Sequence, residues 1–330
     1  MATLTIAEAE ALVEAALTRC RTGPDNARLV ARALVAAEAG GLKGHGLSRV
    51  PSYAAQARAG KVDGFAIPIV TTPKPGVVAI DAAHGFAYPA IEAALAALPD
   101  AARRNGLAAA SIRRSHHCGA AGHPVERLAE TGFVALMFAN TPAAIAPWGG
   151  QRGVFGTNPI AFACPLPGRP PIVVDLSISK VARGNILAAK QKGERIPDGW
   201  ALDSNGQATT DPDAALKGTM VPLGDAKGTA LALMVELLAA GLTGANFASE
   251  ASSFLDAEGP PSDTGQLIIA FDPGAFAGGA PSRFATLAAM IETQAGARLP
   301  GIRRLAARSK AMADGLAVND ALIAEINARG

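Results

Sequence analysis

The chain reads as a mixed α/β protein, helical at both ends and strand-rich between them. Three observations predict this. Apolar residues recur at helical spacing over residues 5–20 and 25–40. From about residue 65 the period shortens to valine- and isoleucine-rich runs of strand length, cut by proline and glycine. From Ser282 onward the composition turns helical again and ends in a lone polar terminus.

The elements follow in order. Thr5 is placed to cap the first helix, with Glu8 at the capping-box position. A further helical piece is expected to start near Pro51, since proline suits a first turn. "FAIPIVTTPKPGVVAIDAAHGFAYPA" predicts short strands and turns, residues 90–105 a helix, and "GLAAASIRRS" a strand entering a polar loop. "PVERLAETG" reads as a short helix ended by Gly132, and "FVALMFANT" as a strand. "NPIAFACPL" and "PIVVDLSIS" are two more strands. A polar excursion, "KQKGERIPDGWALDSNGQATTDPDAAL", precedes the apolar helix "KGTALALMVELLAAGLTG", and "GQLIIAFDP" is a late strand.

Composition limits the function classes. With 49% apolar and 18% charged residues and a formal charge of +2, the chain is too apolar for disorder, and its dispersed cations offer no nucleic-acid face. Cys20, Cys118 and Cys164 lack the spacing of a disulfide scaffold or a thiolate metal site. No basic-then-apolar leader and no membrane-length apolar run is present, so a cytoplasmic protein is expected.

Local motifs come next. A dinucleotide fingerprint of the GxGxxG kind is missing between any strand and helix, as is a phosphate loop. "GDAKG" sets Lys227 between glycines at a helix start, where free backbone donors and the lysine charge suit a phosphate, although a solvated loop lysine reads the same way. "RRSHHCGAAGHP" gathers three of the five histidines. His116, His117 and His123 offer imidazoles to a metal, but adjacent histidines diverge and no carboxylate partner can be placed, so no metal is expected. A close approach of Gly119 and Gly122 to a bound cofactor fits the segment better.

Six segments, in this order, resemble the malate/L-lactate dehydrogenase type 2 family: "GLKGHGLSRVPSY", "SHHCGAAG", "FGTNPIAFACP", "VVDLSISKVARG", "GDAKGTALALMVELLAAGLTG" and the "LPG" near residue 300. The likeness runs from the first helices to about residue 305. It implies a non-Rossmann fold whose largely antiparallel sheet binds the nicotinamide, and a homodimer. Residues 1–60 and 283–330 are then a helical domain carrying the catalytic histidine, 61–115 a small α/β domain, and 116–282 the cofactor-binding domain.

On that resemblance His45 is the proton donor and acceptor, Arg49 grips the substrate carboxylate, and Asp175 orients His45. Tyr53 and Thr157 border the substrate. His117, Cys118, Gly119, Ala120, Thr157, Val174, Asp175, Leu176, Ser177, Ser179, Lys180, Lys227, Pro300, Gly301, Ile302 and Arg303 form the cofactor surface. His116 is less securely placed there than His117, Tyr53 serves packing equally well, and Trp148 and Trp200 read as packing anchors. The cofactor is NADP or NAD; NADP is favoured because Ile302 stands where the family commonly has glutamate, removing a carboxylate that a 2′-phosphate would tolerate badly.

Gly44 replaces a serine common before the catalytic histidine, and Cys118 replaces the usual aromatic, which bears on substrate more than on reaction class. The implied substrate is a small anionic 2-oxo or 2-hydroxy acid: sulfopyruvate and 3-sulfolactate first, or a malate- or lactate-like acid. Reduction of the cyclic imines pyrroline-2-carboxylate and piperideine-2-carboxylate is the alternative. The site of a dianionic substrate should hold a second cation; that of a cyclic imine can be plainer.

Overall fold

The structure is a computed structural model and describes residues 1–329. Helix Ile6–Arg19 is capped as its sequence dictates: the Thr5 hydroxyl accepts the Glu8 N–H at 3.2 Å, and the Glu8 carboxylate accepts the Thr5 N–H at 2.7 Å. Helix Pro24–Ala39 follows, then helix Val50–Ala59 with Pro51 in its first turn.

The centre is a seven-stranded sheet. Its strands run in the order Ile69–Lys74, Val77–Asp81, Leu107–Ser115, Thr264–Phe271, Val134–Ala139, Ile160–Leu166 and Arg169–Leu176. Every neighbouring pair is antiparallel except Val77–Asp81 with Leu107–Ser115. That one parallel pair needs a crossover, supplied by helix Ala87–Asn105. The sheet is thus mixed and largely antiparallel, as expected, and it crosses residue 115, so the strands of 61–115 and of 116–282 lie in one layer.

One face of the sheet buries Ile80, Ile112, Met137 and Ile268 against Leu98, Val125 and Leu128 from helices Ala87–Asn105 and Gly122–Glu130. Each fully buried aliphatic side chain there contributes about 1.5–3 kcal/mol. The other face sets Phe138 and Leu267 against Val235 and Ala239. Those two belong to helix Ala226–Glu236 and the π turn Leu237–Gly241 that widens its end.

The two ends of the chain share a separate core, in which Leu17, Val30, Leu34, Leu47, Val50 and Tyr53 meet Ala311, Leu316, Val318 and Ile326. Here the expectation of a purely helical end with a polar terminus is corrected. Helices Ala280–Glu292, Ile302–Asp314 and Asp320–Asn327 are present, but Leu316–Val318 is a strand pairing antiparallel with Ala2–Leu4, and Ile326 is fully buried. A three-residue strand has no period to read, and its partner lies at the opposite end of the chain.

The polar excursion is also more ordered than its composition predicts. It holds helix Pro212–Lys217 and a three-stranded sheet of Ala201–Leu202, Ala208–Thr209 and Thr219–Met220, preceded by helix Arg183–Lys192. Ile145, Ile178, Ile186, Ile196 and Met220 form their common core. No helix of the described residues is long and apolar enough to cross a membrane.

Candidate active site

The carboxyl end of the edge strand Arg169–Leu176 is where predicted segments far apart in sequence converge. The Gly122 N–H donates to Asp175 Oδ2 at 2.8 Å. Gly301 turns with φ +86° so close to the strand that a Cβ there would lie 3.2 Å from the Val173 carbonyl. Just beyond, the Ile178 N–H donates to the Thr157 carbonyl at 2.8 Å, the Leu223 N–H to the Ile178 carbonyl at 2.8 Å, and the Lys180 N–H to the Val221 carbonyl at 2.8 Å. Gly122, Thr157, residues 173–180, Val221, Leu223 and Gly301 are thereby brought together.

The donors gathered there suit an anionic dinucleotide. The Ser177 and Ser179 hydroxyls lie 2.9 Å apart, Lys180 and Lys227 are exposed, and Lys227 stands in the first turn of helix Ala226–Glu236, where its own N–H donates to the Gly224 carbonyl at 3.1 Å and its side chain supplies the charge. Val174 is partly exposed; Leu176, Pro300, Ile302 and Arg303 are exposed beside them. The start of helix Gly122–Glu130 is less open, since Asp175 already takes the Gly122 N–H.

His45 ends a short 3-10 turn, and its ring stacks on that of His117, with centroids 5.3 Å and planes 17° apart. His45 Nδ1 is buried without a hydrogen-bond partner. Burial, then the nearby positive charge of Arg49, lowers the His45 pKa to about 4, so the imidazole is neutral at pH 7. Arg49 is held close by its own Nε–H, which donates to the Gly44 carbonyl at 2.7 Å. Among the described residues no carboxylate pairs with its guanidinium, which leaves it free for a substrate anion.

Asp175 is not hydrogen-bonded to His45. Its carboxylate holds the glycine turn instead, and a Cβ at Gly122 would come 2.9 Å from Asp175 Oδ2. Burial of that carboxyl raises its pKa, against the Gly122 N–H and Arg304, which favour the charge. Tyr53 is fully buried, and its hydroxyl lies 2.6 Å from His117 Nδ1 and 3.3 Å from the Tyr88 hydroxyl. The Thr157 N–H donates to Thr141 Oγ1 at 2.9 Å. Next to it, Asn158 sits at φ +41°, pinned by amide bonds to Glu236 Oε2 at 2.7 Å and the Ala232 carbonyl at 3.0 Å.

His116 and His117 diverge, as adjacent histidines do. The Gln56 amide nitrogen donates to the Phe254 carbonyl at 2.8 Å, so Gln56 Oε1 is the acceptor for His116 Nε2 at 2.6 Å. His116 is therefore a buried structural donor. Burial lowers its pKa to about 3. Cys118 is buried too, and burial followed by the Asp175 charge raises its thiol to about 12, which rules it out as a nucleophile at neutral pH. Ala120 is buried behind it and borders, with Tyr88, Cys118, His123 and Arg308, a cavity of about 290 Å³. That cavity includes none of His45, Arg49, Thr157 or Asp175, so it is not the centre defined by the paired imidazoles. Among the described residues no group of three or more His, Cys, Asp or Glu side chains gathers as a metal would require.

Several contributors escape a reading of the sequence. Phe254, on the irregular stretch before strand Thr264–Phe271, brings its ring to 5.1 Å from His116 and 5.0 Å from His117. The buried ammonium of Lys61 fixes that stretch through the Ser253 carbonyl at 2.8 Å and the Asp256 carbonyl at 3.2 Å. Phe86 and Tyr88 pack on Tyr53 at 5.6 and 6.5 Å. Only the spacing of Tyr53 and Gln56, three apart on one helix face, hints at any of this.

A largely antiparallel sheet whose strand end collects serines, lysines and glycine turns beside two imidazoles and an unpaired guanidinium defines an NAD(P)-dependent dehydrogenase or reductase. The chain belongs to the malate/L-lactate dehydrogenase family, whose model matches residues 4–327. It is 50% identical to the (2R)-3-sulfolactate dehydrogenase (NADP(+)) of Chromohalobacter salexigens over 325 residues, 98% of this chain and 97% of that one. It is 39% identical to a Delta(1)-pyrroline-2-carboxylate reductase of Ancylobacter novellus over 331 residues, 99% of this chain and 97% of the relative. Among solved structures, the delta1-piperideine-2-carboxylate reductase of Pseudomonas syringae pv. tomato superposes with a TM-score of 0.94 at 37% identity, covering 100% of both chains. The protein is an NAD(P)-linked oxidoreductase acting on a small hydroxy- or imino-acid-like substrate.

Proposed function

We propose that this enzyme reduces a cyclic 2-imino acid, Delta(1)-pyrroline-2-carboxylate or Delta(1)-piperideine-2-carboxylate, to the corresponding cyclic amino acid with NADPH. The observation that carries this reading is a single unpaired cation in an apolar setting. Arg49 has no carboxylate partner among the described residues, and the neighbouring His117 is packed by the buried rings of Tyr53 and Phe254. That suits one carboxylate joined to an apolar ring. The Ancylobacter and Pseudomonas relatives bear names of this activity.

Arg49 would take the carboxylate, fixing C2 of the substrate in place. A bound nicotinamide supplies the hydride to C2. His45 would exchange the proton at the substrate nitrogen, or at the oxygen of a 2-oxo acid, since no protein group holds its Nδ1. Thr157, Asp175 and the 117–120 turn would border the nicotinamide, and Ser177, Ser179, Lys180, Lys227 and Arg303 the phosphates. Ile302 offers no negative charge against a 2′-phosphate, which favours NADP over NAD. A cytoplasmic homodimer belongs to the same reading.

One observation favours a second substrate. Arg304 is largely buried; its Nη2 forms an ion pair with Glu126 Oε1 at 3.1 Å, and both Nη atoms are buried without a hydrogen-bond partner. A sulfonate needs such a second cation, and the 50% identical relative is a sulfolactate dehydrogenase. A paired screen of the two imines against sulfopyruvate, oxaloacetate and pyruvate, each with NADPH and NADH, tests both. Fastest turnover of the imines with NADPH supports the proposal. A dominant rate with sulfopyruvate overturns it in favour of the sulfolactate reading.

A further inference from the structure

Two imidazoles lie stacked beside one guanidinium, and acid–base chemistry needs them to behave differently. We infer that the Tyr53 hydroxyl, whose other neighbour is the Tyr88 hydroxyl, locks His117 as the Nε2–H tautomer, making it a fixed neutral donor to the bound substrate and leaving His45 as the imidazole that exchanges a proton.

The argument is a count of donors. Tyr53 Oη lies 2.6 Å from His117 Nδ1 and 3.3 Å from Tyr88 Oη, and all three side chains are buried. Both phenols keep their protons: burial pushes Tyr53 up to about 12 and Tyr88 well above its ordinary value. His117 is neutral, its pKa driven far down by burial and then by Arg49, so it carries one N–H. Two proton orders are open to the chain. In the first, Tyr88 donates to Tyr53 and Tyr53 to Nδ1, and the imidazole proton sits on Nε2. In the second, Nδ1–H donates to Tyr53, Tyr53 donates to Tyr88, and the Tyr88 proton is left over. Among the described residues Tyr88 Oη has no other hydrogen-bond partner, so the second order leaves the Tyr88 proton without a protein acceptor. The first order satisfies every hydroxyl and turns the remaining N–H to whatever occupies the site.

Backbone geometry holds the relay in place. Gly119 takes φ +69°, and a Cβ there would lie 2.6 Å from Tyr88 Oη, so glycine is what lets the Tyr88 hydroxyl reach its position. His45 has no comparable partner. Its Nδ1 is unoccupied, so nothing fixes its tautomer, and that freedom is what a proton carrier needs. Tyr53, expected to border the substrate, acts here through His117 as a positioning residue.

The assignment holds for a carbonyl or an imine substrate, so its test is independent of which is turned over. Long-range proton–nitrogen correlation spectra of ¹⁵N-histidine-labelled enzyme at pH 7 report each ring's tautomer, with His117 identified by its loss in His117→Asn. The expected result is an unprotonated Nδ1 and a protonated Nε2 in the wild type and in Tyr88→Phe. In Tyr53→Phe an Nδ1–H population should appear, with kcat about tenfold lower, the size of one oriented hydrogen bond. An Nδ1–H or doubly protonated His117 in the wild-type enzyme overturns the assignment. So does a Tyr53→Phe enzyme unchanged in both tautomer and kcat.

Discussion

His45 and His117 face each other as stacked rings, 5.3 Å between centroids and 17° between planes, with burial first and the positive charge of Arg49 second lowering the pKa of both. Two stacked imidazoles beside a guanidinium favour the state in which neither is charged. Proton supply is therefore coupled to whatever neutralises Arg49, and the anionic substrate is the natural agent.

The first prediction follows directly. A non-reducible carboxylate bound at Arg49 should raise the His45 pKa from about 4 by about one unit or more, because it offsets a nearby cation. An NMR titration of the His45 ring with and without the carboxylate measures this. An unchanged midpoint would separate Arg49 from the proton-carrying group.

Replacing Arg49 should damage binding more than folding. Its guanidinium is partly exposed and makes one hydrogen bond within the protein, to the Gly44 carbonyl. Arg49→Met is expected to raise KM about 10- to 100-fold, the range for losing a charge-assisted pair, while the thermal midpoint moves little. Arg49→Lys should recover only part of the loss, since an ammonium cannot grip a carboxylate bidentately. Equal KM values in the two variants would argue against a forked contact.

Acid should destabilise the fold earlier than its carboxylates alone require. His45, His116 and His123 have folded-state pKa values of about 4, 3 and 4, all below the ordinary 6.5, with burial the main cause. The unfolded chain thus binds more protons than the native one in this window. Stability is full above pH 6.5 and falls as pH drops toward 4, by up to about 1.4 kcal/mol per pH unit for each histidine. Denaturant midpoints between pH 7 and 4.5 should show this decline, and His116→Asn should flatten it. A pH-independent midpoint across that range would mean these rings are not buried neutral.

Glu126 is a structural carboxylate under strong constraint. It is buried, with Arg304 Nη2 at 3.1 Å and Arg308 Nη1 at 3.4 Å, and so ties helix Gly122–Glu130 to helix Ile302–Asp314. Glu126→Gln should cost about 3 kcal/mol, because it leaves the Arg304 guanidinium buried without its counter-charge. Paired denaturation curves of Glu126→Gln and Glu126→Gln/Arg304→Met check it, the second change restoring part of the loss. If the single variant is as stable as the parent, Arg304 has another partner.

Much of this architecture is legible from local pattern. The Thr5–Glu8 capping box, Pro51 in a first turn and each of the long central strands follow from spacing and turn residues alone. What escapes is whatever a distant partner decides. Leu316–Val318 is a strand because Ala2–Leu4 lies beside it. Asp175 accepts from the Gly122 N–H and not from His45, because the strand end meets a helix start that sequence separation conceals. In the site, His45, Arg49 and the cofactor segments rest on motifs that the resemblance supplies. Tyr88, Phe254 and Arg304 carry no motif; one aromatic in an alanine-rich helix looks like another until it meets Tyr53.

The central place of strand Thr264–Phe271 has a consequence for biosynthesis. It lies between Leu107–Ser115 and Val134–Ala139, which leave the ribosome well over a hundred residues before it. At ~5–20 residues per second, two long apolar strand edges wait on the order of ten seconds for the chain that will separate them. During that time the nascent protein presents an open slot to any strand that fits, including its own strands paired too early. The enzyme's yield in a cell should therefore depend on chaperone supply and translation speed across residues 140–264, even where the finished fold is stable.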